Sequence, residues 1–216
     1  MNTTSARRQM VDQQIRTWEV LDSRVLNVLA EVPREIFVPR EYRELAFADS
    51  SIPIGCGQNM LAPKIHGRIL QTLDITPRDR ILEIGTGSGY LTACLALLGA
   101  QTTSIEYHEA LSAAAAQNLR SVAGARAQLQ VRDAFGREPL GEYDVIAVTG
   151  SLPVDDRVFE KALAVGGRLF EVVGTAPVME ARLVRRVEAD QWIRESVFET
   201  VIDPLINAPA PPRFVF

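Results

Sequence analysis

The chain has 216 residues, and its 23 lysines and arginines against 27 aspartates and glutamates give a formal charge of −4. With 47% apolar and 23% charged residues, the composition is that of a folded domain and excludes a disordered or fibrous protein. The acidic balance argues against nucleic acid as a partner, because counterion release from a phosphate backbone requires a basic surface. We therefore expect a single domain over residues 1–216.

The amino-terminal segment has no apolar stretch typical of a secretory signal. The longest apolar stretch, residues 91–100, is far shorter than the ~20 residues that span a bilayer. The two cysteines, Cys56 and Cys94, have neither disulfide-pattern nor metal-ligand spacing. We expect a cytoplasmic protein with no membrane partner, no metal and two reduced thiols, of which Cys94 lies in the core.

Residues 1–76 are predicted to form helices and loops with little strand character. Asp22 is suited to cap a helix whose apolar residues follow at helical spacing. Pro63 is suited to the first turn of a second helix. Between these helices, the segment SIPIGCGQNML at residues 51–61 contains two glycines, and we expect it to be a mobile loop.

From residue 77 onward, β-rich runs alternate with helical runs. The predicted strands are residues 80–84, 102–106, 129–131, 143–149 and 168–173, and the predicted helices are residues 90–98, 109–122 and 156–163. This alternation requires crossover connections and predicts an open, doubly wound α/β domain with a mostly parallel sheet and helices on both faces. Residues 77–175 form this core. Residues 176–216 are expected to add two antiparallel edge strands and a proline-rich tail.

A glycine-rich loop follows the first core strand and leads directly into a helix. Its residues are Glu83, Ile84, Gly85, Thr86, Gly87, Ser88 and Gly89. Such a loop lets a ligand approach the backbone at a helix N-terminus. Its spacing differs from a dinucleotide fingerprint, and it lacks the lysine of a P-loop. Glu106 ends the next strand, where a carboxylate can accept both ribose hydroxyls of an adenosine.

Two further strands are followed by polar residues. Asp133, next to Ala134, follows the third strand and can accept a hydrogen bond from an adenine amino group. Thr149 follows the fourth strand. Because ligands of open α/β sheets bind outside the carboxyl ends of the strands, these residues and the glycine loop predict one nucleotide-like ligand.

The glycine loop with its trailing Glu106 resembles the cofactor loop of class I S-adenosylmethionine-dependent methyltransferases. Longer segments resemble the protein-L-isoaspartate O-methyltransferase family over residues 8–175. These segments are MVDQQIR at 10–16, VPREIFVP at 32–39, AFADSSIPIGCGQ at 46–58, RILEIGTGSGY at 80–90 and VTGSLP at 148–153.

The resemblance implies S-adenosyl-L-methionine as cofactor, S-adenosyl-L-homocysteine as product, and methylation of isoaspartyl carboxylates in damaged proteins and peptides as the first step of repair. It implies that Glu83 and the glycine loop, including Ser88, surround the methionine end of the cofactor. Glu106 would contact the ribose, and Asp133 with Ala134 the adenine. Residues 57–63 would cover the acceptor, near Thr149 at the reacting centre.

The covering loop contains the candidate catalytic residues Gln58, Asn59 and Leu61. Gln58 and Asn59 are expected to orient the acceptor carboxylate, which is ionised at neutral pH and needs no general base. Relatives typically carry a serine where this chain has Leu61, and the carboxyl end also departs from their pattern. Lys64 and His66 flank Ile65 just after the loop, where one of them could reach an acceptor carboxylate, but we favour the interpretation that they belong to a solvent-facing helical turn.

Leu61 keeps an alternative open, namely a methyltransferase of the same family with a different, unidentified acceptor. A dinucleotide-binding oxidoreductase is disfavoured by the glycine spacing, and a non-catalytic module by the intact loop with Glu106. The sequence leaves the oligomeric state open. Apolar residues near the carboxyl end, among them Phe214 and Phe216, pack either on the core or on a second subunit.

Overall fold

A computed structural model describes residues 3–210 of the chain. The α-helices are α1 (Thr3–Met10), α2 (Ser23–Glu31), α3 (Pro63–Leu73), α4 (Tyr90–Leu98) and α5 (Glu109–Leu119). The strands are β1 (Ile52–Gly55), β2 (Gln58–Met60), β3 (Arg80–Ile84), β4 (Gln101–Glu106), β5 (Ala127–Val131), β6 (Tyr143–Leu152), β7 (Leu163–Thr175), β8 (Val178–Glu188) and β9 (Gln191–Glu199). A π-helical turn (Val11–Ile15) and 3-10 turns (Arg16–Trp18, Arg34–Ile36, Arg40–Leu45, Glu160–Ala162) complete the regular structure.

Seven strands form one sheet in the order β5-β4-β3-β6-β7-β8-β9. The strands from β5 to β7 run parallel, and β8 and β9 pair antiparallel at the edge. The structure confirms the predicted mostly parallel sheet and its antiparallel carboxyl-terminal pair. The chain moves outward from β3 to β5 and then returns to β6 beside β3. Ligands of open α/β sheets bind at the carboxyl edge of such a switch point.

Helices α2, α3 and α4 cover the first face of the sheet. Ile81 and Val145 on the sheet share one buried cluster with Leu29, Leu70 and Leu95 on these helices. Fully burying side chains of this size stabilises the fold by about 1.5–3 kcal/mol each. As the sequence predicts, α2 is capped by an aspartate side chain and α3 begins with a proline.

The second face is covered by less regular structure than the sequence predicts. The expected helix at residues 156–163 is wrong, because the structure has only the short 3-10 turn Glu160–Ala162 there. The connection from β6 to β7, residues 153–162, is short for a crossover with a helix. Phe159 and Ala162 of this connection pack directly on the sheet instead. The α-helices of residues 3–210 contribute nothing to this second buried cluster.

The predicted mobile loop at residues 51–61 is instead a hairpin formed by β1 and β2. Ile52 pairs with Met60 across the antiparallel strands, and both side chains are buried. Cys56 and Gly57 form the turn with φ of 53° and 71°. The expectation of little strand character in residues 1–76 is therefore wrong at this hairpin, whose strands are too short to show alternation.

Cys94 is buried and unpaired in the core, as predicted, and Cys56 is exposed. No helix within residues 3–210 has the length and apolarity needed to span a membrane. Phe214 and Phe216, which the sequence assigns to packing on the core or on a second subunit, lie outside the described residues.

Candidate functional site

The glycine-rich loop lies at the carboxyl edge of the sheet, between β3 and α4. Gly85, Gly87 and Gly89 have φ of 95°, 53° and 85°, a region that favours glycine. A Cβ on Gly85 would lie 2.2 Å from Thr149 Oγ1, and one on Gly89 would lie 3.0 Å from the Ala115 Cβ. The loop therefore lies against β6 and α5, with no room for side chains at these positions.

Glu106 at the end of β4 is fixed by two backbone donors. Gly87 N donates to its Oε2 and His108 N to its Oε1, both at 2.9 Å. The carboxylate is buried and faces the cleft beside the glycine loop. Each of its oxygens can still accept a further hydrogen bond, so the arrangement suits a pair of neighbouring hydroxyls.

One cleft brings most of the predicted site residues together. The predicted site residues that line this cleft are Gln58, Asn59, Leu61, Gly85, Gly87, Glu106, Asp133, Ala134 and Thr149. An inner cavity beside it is lined by Glu83, Thr86 and Ser88, and shares Asn59, Leu61 and Thr149 with the cleft. Gly89 lines neither cavity and instead packs against α5. Apolar residues that the sequence analysis missed, Ile54, Leu111, Phe135 and Leu205, also line the cleft.

Asp133 and Thr149 both make hydrogen bonds that fix the walls of the cleft. Asp133 Oδ1 accepts from Phe135 N at 2.9 Å, and its Oδ2 accepts from Asn207 Nδ2 at 2.8 Å. The Thr149 hydroxyl donates toward the carbonyl oxygens of Ile84 and Gly85, at 2.9 and 2.8 Å. Thr149 therefore contributes to the site by holding the glycine loop, and its expected place at the reacting centre remains a prediction.

The segment after β9 forms one wall of the cleft, which the sequence analysis missed. Ser151 N donates to Asp203 O at 2.8 Å, and Leu205 N donates back to Ser151 O at 3.0 Å. Asn59 Nδ2 on the hairpin donates to Asp203 Oδ2 at 2.8 Å. The carboxyl-terminal segment thus joins the end of β6 to the covering hairpin. The sequence shows this segment only as proline-rich, and a high proline content does not indicate that a segment lines a cleft.

Glu83 at the end of β3 is a fully buried carboxyl group beside the inner cavity. Its Oε2 accepts from Thr92 Oγ1 at 2.5 Å and from Ser104 Oγ at 2.6 Å. Its Oε1 is buried without a hydrogen-bond partner. Burial raises the pKa of Glu83 to about 8, against the opposing effect of these two hydrogen bonds.

Lys64 and His66 point in different directions from the start of α3. Lys64 Nζ donates to Asp49 at 2.8 Å and lies 4.3 Å from the centre of the Trp18 ring. His66 is 4% exposed and lines the inner cavity. The interpretation of His66 as solvent-facing is therefore wrong, because α3 packs this side of its first turn against the rest of the protein.

The chain is similar in sequence to known proteins of one family. The family model described as "Protein-L-isoaspartate(D-aspartate) O-methyltransferase" matches residues 5–207. A protein-L-isoaspartate O-methyltransferase of Koribacter versatilis is 37% identical over 204 residues, which cover 93% of this chain and 90% of that protein. One of Roseiflexus castenholzii is 36% identical, with 97% and 96% covered.

The fold is also similar to that of a solved structure. A protein of Plasmodium falciparum, assigned as a protein-L-isoaspartate O-methyltransferase, superposes with a TM-score of 0.79 at 19% identity. The match covers 92% of this chain and 97% of that one, and the Plasmodium structure contains S-adenosyl-L-homocysteine.

Proposed function

The chain belongs to the protein-L-isoaspartate(D-aspartate) O-methyltransferase family, and we propose that it methylates the carboxylate of isoaspartyl residues in damaged proteins and peptides. It is an S-adenosyl-L-methionine-dependent methyltransferase. The observation that carries the proposal is the cleft in which the glycine loop and Glu106 meet the covering hairpin with Gln58 and Asn59. The names of its relatives support isoaspartate over a different acceptor.

The residues present fit this cofactor. Gly85 lets the loop pack closely on Thr149 at the edge of the cleft, and Glu106 is held in place by backbone donors with further acceptor capacity facing the cleft. The unpaired Glu83 Oε1 beside the inner cavity accepts in the ionised form of the carboxyl group, and an ammonium donor such as the one on the methionine end would favour that form despite the pKa of about 8. Asp133 and Ala134 line the part of the cleft where we place the adenine.

Catalysis in this site requires positioning and the exclusion of water more than acid–base chemistry. When bound, the cofactor supplies an electrophilic methyl group on a sulfonium, and the acceptor carboxylate is already ionised at neutral pH. Gln58 and Asn59 orient that carboxylate from the hairpin. The Asn59–Asp203 hydrogen bond holds the hairpin over the cleft and limits the access of water.

Leu61 contributes through its backbone and its shape. Its carbonyl oxygen accepts a hydrogen bond from Arg34 Nη2 at 2.8 Å. This bond holds the backbone at the end of the covering hairpin against the buried arginine. Its side chain is nearly buried and lines both the cleft and the inner cavity. We assign it the role of an apolar wall, so that the polar contacts to the acceptor fall to Gln58 and Asn59.

We assign separate roles to three parts of one domain, residues 1–216. Residues 1–76 cover the acceptor, and residues 77–175 hold the cofactor. Residues 176–216 supply the edge strands and, through Asp203 and Leu205, a wall of the cleft. The macromolecular partner is the isoaspartyl-containing protein or peptide itself.

The double substitution Gln58→Ala with Asn59→Ala tests the acceptor assignment. Turnover on an isoaspartyl peptide should be lost, while calorimetry should give the same affinity for S-adenosyl-L-homocysteine within about three-fold. Gln191→Ala, on an exposed position of β9, is the matched control. Unchanged turnover in the double variant would exclude these two residues from acceptor binding.

A further inference from the structure

A second groove borders the cleft on the side of the amino-terminal segment. Residues 36–40 and Arg43 contribute to its lining, together with Ile54 of the hairpin, residues 87–88 of the glycine loop and three residues of α5. Its volume is about 310 Å³. We call it the side groove. The cofactor and acceptor assignments above leave it unused.

The side groove shares part of its wall with the cleft. Ile54, Gly87 and Leu111 line both spaces. A Cβ on Gly87 would lie 3.2 Å from Ile54 Cδ1, so the hairpin side chain lies directly on the glycine loop. Asn118 Nδ2 donates to Ser88 O at 3.0 Å, which fixes α5 to the same loop. Because an extended chain advances about 3.3 Å per residue, an acceptor chain that enters the cleft reaches the side groove within a few residues.

Two arginines of one 3-10 turn give the side groove its charge. Arg40 and Arg43 are three positions apart in the turn Arg40–Leu45, and residues at this spacing lie on the same side of a 3-10 helix. Both line the groove, whereas Glu41 and Glu44 of the same turn do not. Neither guanidinium has a hydrogen-bond or ion-pair partner within residues 3–210. No aspartate or glutamate of these described residues lines the groove.

The rest of the lining is mostly apolar. Val38 and Leu111 are buried, and Ile36, Pro39 and Ile54 are half-buried. An apolar lining beside unpaired guanidinium groups suits a polypeptide segment with acidic side chains. The carboxylates of such a segment can pair with the arginines, and its apolar parts can cover the lining. A small free anion would leave the apolar surface in water.

We propose that the side groove binds the segment of the acceptor polypeptide that flanks the isoaspartyl residue, and that Arg40 and Arg43 select segments with acidic side chains. This inference rests on the proposed function, because it assigns the groove to the same acceptor. The two arginines act as specificity residues that contact the substrate away from the reacting atoms. Their effect should therefore fall on KM and leave kcat unchanged.

Three isoaspartyl peptides of equal length test the selection. One carries glutamates on the amino-terminal side of the isoaspartyl residue, one carries them on the carboxyl-terminal side, and one carries glutamines at all of these positions. Glutamates on at least one side should lower KM about three- to ten-fold, the size expected for one or two exposed ion pairs. The preference should shrink as the NaCl concentration rises from about 0.05 to about 0.5 M, because salt screens exposed charges.

The double variant Arg40→Gln with Arg43→Gln should remove the difference between the glutamate and glutamine peptides. The matched control is Arg120→Gln with Arg126→Gln, which makes the same change of charge at exposed arginines of a separate cavity and should keep the preference. Arg40→Glu with Arg43→Glu should reverse it in favour of a peptide with lysines. Thermal melting of each variant verifies folding.

Equal KM values for the three peptides in the wild-type protein would overturn the proposal. So would a preference that persists in Arg40→Gln with Arg43→Gln, or one that the control variant loses to the same extent. In each of these cases the proposed function stands, because the peptides are still methylated.

If the wild-type protein methylates none of the peptides, the proposed function fails separately. Fluorescence anisotropy of the labelled peptides, with S-adenosyl-L-homocysteine present, then decides the role of the side groove. Tighter binding of a glutamate peptide that is lost in Arg40→Gln with Arg43→Gln supports a site for an acidic segment. Equal binding of the glutamate and glutamine peptides overturns it.

Discussion

Asn59 Nδ2 donates a 2.8 Å hydrogen bond to Asp203 Oδ2 across 144 residues of sequence. One partner lies on the hairpin that covers the cleft, and the other lies on the segment that closes its far wall. Both residues line the same cleft. The bond therefore couples the covering hairpin to the carboxyl-terminal segment.

Breaking this bond should weaken acceptor binding. We expect Asn59→Ala and Asp203→Ala each to raise the KM for an isoaspartyl peptide several-fold and to change cofactor affinity by less than about three-fold. Because the bond is exposed and charge-assisted, a double-mutant cycle should give a coupling energy of about 0.5–1.5 kcal/mol. Additive effects of the two substitutions would show that the bond does not couple the two segments.

Glu106→Ala should weaken S-adenosyl-L-homocysteine binding by one to two orders of magnitude. The estimate is the loss of a charge-assisted hydrogen bond, about 1.5–3 kcal/mol. The substitution also releases the backbone of Gly87 and His108. Calorimetry measures the change, with Glu109→Ala as an exposed control on α5. An unchanged dissociation constant would rule out Glu106 as a cofactor ligand.

Gly85→Ala should cost far more stability than Gly166→Ala. Both glycines have positive φ, 95° and 83°, so both substitutions carry a backbone cost of about 1–2 kcal/mol. Only at Gly85 does the new Cβ meet a neighbour, the Thr149 hydroxyl at 2.2 Å, whereas the space around Gly166 is open. Urea unfolding should give a larger loss of unfolding free energy for Gly85→Ala than for Gly166→Ala. Equal losses would show that Thr149 on β6 moves aside without cost.

Leu61→Ser should increase kcat/KM for an isoaspartyl peptide several-fold, because a hydroxyl in this wall can donate to the acceptor. Losing the buried aliphatic side chain should cost about 2 kcal/mol of folding stability. Leu61→Ala separates the two effects, since it removes the side chain without adding a donor. Equal activity of the serine and alanine variants would show that the acceptor does not reach this position.

Glu171→Gln should stabilise the protein at alkaline pH. Both carboxyl oxygens of Glu171 are buried and unpaired, and burial, then Glu160 and Asp155, raise its pKa from 4.5 to about 7, against Arg182 and Arg194.

The folded state therefore retains this proton more strongly than the unfolded state, so wild-type stability falls as pH rises from about 4.5 to 7. The glutamine variant should gain up to about 3 kcal/mol relative to wild type near pH 8, and the difference should shrink toward pH 4.5. Thermal melts across this range measure it, with Glu188→Gln as the exposed control. A difference that does not vary with pH would contradict the assignment.

The sequence predicted the sheet and much of the lining of the cleft, because both depend on local patterns. Strands produce apolar runs, and Glu106 is the last residue of one strand while Asp133 lies two residues after the end of another. The hairpin at residues 51–61 was missed because strands of three or four residues show almost no alternation.

Other features depend on contacts between distant segments. The position of Asp203 follows from backbone pairing with Ser151, which leaves no periodic signal. The burial of His66 depends on how the first turn of α3 packs, and a helical pattern of two turns does not specify that. The segment at residues 156–163 has helical spacing, but its apolar residues pack directly on the sheet.

The most direct test of the proposed function is transfer of labelled methyl groups from S-adenosyl-L-methionine to an isoaspartyl peptide, compared with the same peptide containing a normal aspartyl residue. We expect saturable methylation of the isoaspartyl peptide alone, with inhibition by S-adenosyl-L-homocysteine. Binding of S-adenosyl-L-homocysteine without methylation of the isoaspartyl peptide, or equal methylation of both peptides, would contradict it.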